Sequence, residues 1–251
     1  MAIRLENRGA VAWITIDRPE VLNALDIPHL EALRARVMQA AGDGETAAVV
    51  ITGVGRAFSV GADIKAMDRM TDAEFQAATD HYQTLAAALG DMAKPAIAAV
   101  NGYALGGGLE IALMCDLRIA AASARLGLPD AELGFSPSGG LTYLLPRIVG
   151  EGRAKHLLLT AEPIDAAEAE RIGLVTVVAE DAKLAETAMS LAEKLAGCPR
   201  TGLANTKRGL AASRDAGFAD ALALEAELDA ACYRDKETRA RLAAFLAARR
   251  K

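Results

Sequence analysis

Lys94-Pro95-Ala96-Ile97-Ala98-Ala99-Val100-Asn101-Gly102-Tyr103-Ala104-Leu105-Gly106-Gly107-Gly108-Leu109-Glu110-Ile111-Ala112-Leu113-Met114-Cys115-Asp116 is the stretch on which the fold turns. Ala96 to Val100 is an apolar run of strand length, Asn101-Gly102 is turn chemistry, and three glycines lead into a helix that opens at about Gly107. Glycine lets backbone approach a ligand closely, and first-turn N–H groups have no intrahelical partner, so this helix start suits an oxyanion. Glu110 follows one turn on, among Ile111, Leu113 and Met114, where an apolar setting gives a carboxyl group reason to titrate abnormally. Alone, Glu110 would be an ordinary helix N-terminal carboxylate, favourable by about 0.3–1 kcal/mol. The glycines beside it favour the functional reading.

Outward from this stretch, the pattern alternates between strand and helix. Val11 to Ile16 is a short strand between two turn signals, and the residues around Leu5 pair with it as a hairpin. Asp26 caps a helix from about Pro28 to Ala41, with Leu30, Leu33, Val37 and Ala41 along one face and Gly42 and Gly44 at its end. Ala47 to Thr52 is continuously apolar, as in a strand covered on both faces, and a glycine-spaced loop, Gly53 to Lys65, follows. Met67 to Met92 is polar, rich in Met and partly helical, capped by Thr71 or Asp72, and is a candidate lid or pocket wall. Downstream come a strand at Leu117 to Ala121, a short strand at Arg125 and a loop through Pro129-Asp130. Helices over Gly139–Val149, Arg153–Leu159 and Asp165–Gly173 and a strand at Leu174 to Val178 complete this part. The chain is helical and alanine-rich from Lys183, and Gly197-Cys198-Pro199 breaks it. The expected division is therefore a core, 1–198, and a helical extension, 199–251. Leu222, Leu224, Leu228, Leu242, Phe245 and Leu246 give that extension an apolar face that calls for a partner surface. The whole reads as an α/β (α+β) protein with short strands and no sequence repeat.

The composition sets bounds. With 251 residues and 52% hydrophobic content the chain buries a core without staples. A formal net charge of -5, with both signs interspersed, offers no basic stripe for nucleic acid. The N-terminus lacks the apolar segment of a signal peptide, and no run approaches the roughly 20 residues that span a bilayer. Cys115, Cys198 and Cys232 have no CxxC spacing and read as reduced thiols. These features point to the cytoplasm and away from membranes.

Two loops carry the chemistry. Gly61-Ala62-Asp63 and Leu105-Gly106-Gly107-Gly108 each follow a strand, and each could give one N–H to the same oxygen. Asp130 and Glu132 are ordinary turn or strand-end charges when taken singly. Two carboxyl groups in one pocket would differ, because repulsion and desolvation raise one pKa and leave an acid beside a base. Gly53-x-Gly55 lacks the third glycine of a dinucleotide fingerprint, and no GxxxxGK[ST] occurs. His29, His81 and His156 share no ligand spacing, so no metal is expected. Ser59, Ser136 and Ser138 lack a nucleophile elbow, and Cys115 reads as core.

At these residues the chain resembles the crotonase (enoyl-CoA hydratase/isomerase) superfamily, from about Val11 to its end. Three motifs carry the likeness: Gly-Arg-Ala-Phe-Ser-Val-Gly-Ala-Asp-Ile-Lys ending at Lys65, Asn-Gly-Tyr-Ala-Leu-Gly-Gly-Gly-Leu-Glu ending at Glu110, and Leu-Gly-Leu-Pro-Asp-Ala-Glu-Leu-Gly-Phe-Ser-Pro-Ser-Gly-Gly ending at Gly140. The resemblance implies a spiral of ββα units and a C-terminal helical trimerisation domain, assembled as a homotrimer or a dimer of trimers. It implies that the N–H groups of Ala62 and Gly107 bind the thioester oxygen of an acyl-CoA, and that Glu110 and Asp130 move the water and protons. Asp130 stands where family hydratases carry glutamate, shortening the reach by on the order of 1 Å. Phe135-Ser136-Pro137-Ser138 lacks the extra aspartate of relatives acting on dienoyl-, halobenzoyl- or naphthoyl-type substrates. By the same resemblance, the acyl-CoA lies along Val21, Leu22, Ala24, Ala62, Asp63, Ile64, Lys65, Gly106, Gly107 and Pro129. Phe245 and Arg249 or Arg250 would reach a neighbour's CoA. Coenzyme A belongs to the substrate, and no separate cofactor is implied. The implied reaction is hydration of a short- or medium-chain enoyl-CoA; the alternatives are Δ3,Δ2-enoyl-CoA isomerisation and acyl-CoA binding without turnover.

Overall fold

The computed structural model describes residues 2–249; Arg250 lies outside them. In chain order the strands are β1 (Ile3–Arg8), β2 (Val11–Ile16), β3 (Ala48–Gly53), β4 (Ala57–Ser59), β5 (Ala96–Val100), β6 (Tyr103–Leu105), β7 (Leu117–Ala121), β8 (Arg125–Gly127), β9 (Ile164–Asp165) and β10 (Val177–Ala179). The helices are α1 (Ile27–Gly42), α2 (Ile64–Met67), α3 (Asp72–Asp91), α4 (Gly107–Met114), α5 (Leu141–Val149), α6 (Glu151–Thr160), α7 (Ala166–Arg171), α8 (Leu184–Ala196), α9 (Arg200–Ala212), α10 (Phe218–Arg234) and α11 (Lys236–Ala248).

Two sheets result. One has the order β1-β2-β3-β5-β7-β10, parallel except for the β1–β2 hairpin. The other runs β4-β6-β8-β9, with β8 and β9 antiparallel. β3, β5 and β7 each feed the first sheet, and the short strand after each feeds the second. The chain therefore advances as a spiral, one strand to each sheet per turn. β3, β5 and most of β7 are buried on both faces, which is why their sequences are unbroken apolar runs rather than alternating ones. α8 packs across β2, β3, β5 and β7.

α4 is the hub, touching β4, β5, β6, α3 and α5. From Gly108 to Met114 every residue is buried, so this helix is apolar all round and carries one charge, Glu110, inside. Two asparagine systems, one buried (Asn23) and one half-buried (Asn101), hold the loops around it. Asn23 accepts from Arg18 N–H at 2.8 Å and donates to Val54 O and Ala57 O at 3.0 and 2.7 Å. Asn101 accepts from Gly53 N–H and donates to Ala57 O, both at 3.0 Å. These side chains take over the backbone valences where the chain passes from one sheet to the other.

The structure departs from the sequence reading in places. β4 and β6 lie inside what reads as a loop after Gly53 and a turn after Asn101. The predicted strand Leu174 to Val178 is instead Val177–Ala179. Leu174 and Val175 donate to Ala169 O, and Leu174 O accepts from the buried Arg118 guanidinium at 2.7 Å, so these groups are spent before the ladder begins. Asp165 caps α7 through Glu168 N–H, as read, and also forms β9. Thr71 is the cap of α3: Glu74 N–H donates to its hydroxyl and Glu74 accepts from Thr71 N–H. Among the described residues, no helix is long and apolar enough to cross a membrane.

Candidate active site

α3, α4, the glycine loop before α2 and the turn Pro129–Leu133 enclose a cavity of about 390 Å³. Its walls are mainly apolar. Phe75, Thr79 and Tyr82 come from one face of α3, spaced four and three residues apart, so the Met-rich segment is the pocket wall its sequence suggests. Phe75 stacks on Phe135 with ring centroids 5.7 Å apart, joining α3 to the loop ahead of α5.

The inner end is built by close approach of two turns of the spiral. Gly61 has φ +85°, and a Cβ there would lie 2.6 Å from Gly107 N and 2.9 Å from Leu105 O. Only glycine permits that contact. Ser59 fixes the loop, donating to Asn23 O at 2.8 Å and accepting from Gly61 N–H at 3.0 Å. Leu25 N–H donates to Gly61 O and Leu25 O accepts from Asp63 N–H, a parallel bridge that flanks Ala62 and turns the Ala62 N–H away from Leu25. Gly107 opens α4, and its N–H is one of the first-turn donors without an intrahelical acceptor. Ala62 and Gly107 both line the cavity.

Glu110 and Asp130 line it too. Glu110 is 2% exposed, and its carboxyl accepts from Ser138 N–H at 2.7 Å and from the Ser138 hydroxyl at 3.1 Å. Burial raises its pKa to about 7; the Ser138 hydrogen bonds oppose the rise and the charge of Asp130 adds to it. Asp130 is also raised, chiefly by burial, and its Oδ2 is buried without a hydrogen-bond partner. Glu132 is exposed and lies outside the cavity lining. Cys115 is buried at the end of α4, its thiol pushed up to about 12, and serves the core.

Of the other residues singled out from sequence, Asp63, Ile64, Gly106 and Pro129 line the cavity, whereas Val21, Leu22, Ala24 and Lys65 do not. Val21 to Ala24 nonetheless lies beside the Ala62 loop, because Arg18 donates to Ala24 O at 2.5 Å and pairs with Asp63 at 3.7 Å. Asp63 caps α2. Phe245 sits half exposed on α11 under the Arg249 guanidinium, away from the cavity. Sequence reasoning missed Ser138 as the partner of Glu110, Ser59 as the brace of the Ala62 loop, and Tyr82. Among the described residues no group of three His, Cys, Asp or Glu side chains is placed to hold a metal ion.

A two-sheet spiral with an apolar cleft that ends on one buried and one half-buried carboxyl group beside a helix N-terminus defines an α/β enzyme of the class that handles a small polarised group on an apolar tail. The chain matches the enoyl-CoA hydratase/isomerase family profile over residues 6–251, and it belongs to that family. It is 39% identical over 247 residues to a short-chain-enoyl-CoA hydratase of Clostridium acetobutylicum, covering 98% of this chain and 95% of the relative. It is 35% identical over 249 residues to a crotonyl-CoA hydratase of Syntrophomonas wolfei, covering 99% and 96%. The crystal structure of an enoyl-CoA hydratase from Bacillus anthracis superposes with a TM-score of 0.95 at 34% identity, covering 98% of this chain and 96% of that one. The spiral is thus the crotonase fold.

Proposed function

We propose that this protein is an enoyl-CoA hydratase, adding water across the 2,3 double bond of a short- or medium-chain enoyl-CoA. The observation that carries the reading is the pair of carboxyl groups, Glu110 and Asp130, facing one apolar cavity whose inner end presents Ala62 and Gly107. In the proposed mechanism those two N–H groups take the thioester oxygen and stabilise the enolate as water adds at C3; such a donor is worth about 3–4 kcal/mol in other enzymes. Glu110 and Asp130 share the proton transfers. Their raised pKa values suit a pair in which one group is protonated and the other ionised near neutral pH. The acyl chain runs along Met67, Met70 and Phe75, while Val21, Leu22, Ala24 and Lys65 flank the coenzyme A portion, which is part of the substrate. No separate cofactor is required.

The chain divides into a catalytic core, 1–198, and a helical oligomerisation domain, 199–251, with a homotrimer or a dimer of trimers as the assembly and Phe245 meeting a neighbour's ligand. The shorter Asp130 also suits a single-proton shuttle between C2 and C4, the Δ3,Δ2-isomerase reading. One cuvette separates the two reactions. Loss of the conjugated-thioester absorbance of crotonyl-CoA with wild type, abolished by Glu110→Gln and by Asp130→Asn, is the expected result. A rise in that absorbance with a 3-enoyl-CoA, and none of the loss with crotonyl-CoA, would overturn hydration in favour of isomerisation.

A further inference from the structure

Tyr82 projects from α3 into the inner end of the cavity, and the side chain is 5% exposed. Its Oη is buried without a hydrogen-bond partner; among the described residues only one other side-chain polar atom, Asp130 Oδ2, shares that condition, and it faces the same cavity. An unpaired buried hydroxyl opposes folding, and phenylalanine would fill the same space without it. The phenol is also tightly placed: a Cβ at Gly107 would lie 2.3 Å from Tyr82 Oη and 2.6 Å from Cζ. Tyr82 Oη therefore sits against the residue whose N–H opens α4. The charges of Glu110 and Asp130, added to burial, hold the phenol protonated far above its usual range, so it is a donor and never a base. Neither carboxyl group takes its proton. An acceptor oxygen on a ligand bound in the cavity would satisfy it.

We propose that Tyr82 is a further catalytic residue, its phenol O–H donating to the thioester oxygen of the bound acyl group as a third donor beside the N–H groups of Ala62 and Gly107. This rests on the acyl-thioester reading of the site. The interaction strengthens as the oxygen gains charge, so its loss falls on kcat more than on KM.

Tyr82→Phe tests it with three measurements: crotonyl-CoA hydration, thermal unfolding, and the near-ultraviolet band of the acetoacetyl-CoA enolate on titration into the protein. The expected variant has kcat about tenfold to a hundredfold lower with KM little changed, a Tm no lower than wild type, and a weaker enolate band. A wild-type kcat and a wild-type band would overturn the proposal. So would a lowered kcat with an undiminished band, which would place the phenol on the water instead. If wild type fails to hydrate crotonyl-CoA, the hydratase reading falls, and the enolate band alone then decides the role of Tyr82.

Discussion

Glu110 joins stability to chemistry. Its carboxyl titrates at about 7 in the fold against an ordinary value of 4.5. Between those values the native state holds a proton that the unfolded chain has lost, so stability must fall as pH rises through this window and level off above it. The penalty at full ionisation is on the order of 3 kcal/mol. Glu110→Gln removes the titration while keeping an acceptor for Ser138 N–H, and Asp130, raised in both proteins, largely cancels in the comparison. Urea unfolding at intervals from pH 4.5 to 8 should show wild type losing ground to the variant across the window; parallel curves would refute the buried, raised carboxyl. Glu110 was legible because glycines precede it and apolar residues follow it. Ser138 was not, for its link to Glu110 spans 28 residues and exists only once α5 packs on α4. Tyr82 drew no notice in the sequence, because a Tyr at helical spacing with Leu85 and Leu89 differs from a core residue only in its oxygen.

At the scale of elements, the spiral depends on how closely successive turns approach. Gly61 is one of the close approaches that bear on the site. Gly61→Ala would place a Cβ against the Gly107 backbone at a φ that L-residues avoid, and should cost about 2–5 kcal/mol and most of the activity. Gly42, the last residue of α1, has no neighbour in the way, so Gly42→Ala should be neutral or stabilise by about 0.5–1 kcal/mol. Equilibrium unfolding of both variants checks the contrast, and equal effects would refute it. The long elements were readable from apolar runs and caps, as Asp26 for α1 and Thr71 for α3 illustrate. β4 and β6 were not, since three residues are too few for a period of two to register and their glycine-rich flanks read as turns. The second sheet, and with it the spiral, came to the sequence reading only through resemblance to a family.

At the scale of the molecule, two facts about the C-terminal helices pull in different directions. Lys207 on α9 donates to Leu89 O, Lys94 O and Asp116 from a half-buried position, which ties the helices to the core of their own chain. Yet Leu210, Phe218, Leu222, Tyr233, Leu242, Phe245 and Leu246 stand exposed on α9, α10 and α11, a density that a solitary chain does not ordinarily present to water. Helices anchored to their own core, with an uncovered apolar face, reconcile both facts if that face meets another copy around a closed symmetry axis. Light scattering of the purified protein should then return three or six times the 26.2 kDa chain mass. Leu222→Asp tests the face itself: the side chain is 48% exposed in the single chain, so a charge there costs the isolated fold little while disrupting a packed interface. The variant should lose the multimer mass and keep its far-ultraviolet circular dichroism. A wild-type particle of 26.2 kDa, or a variant whose mass is unchanged, would show that these apolar residues serve some other contact.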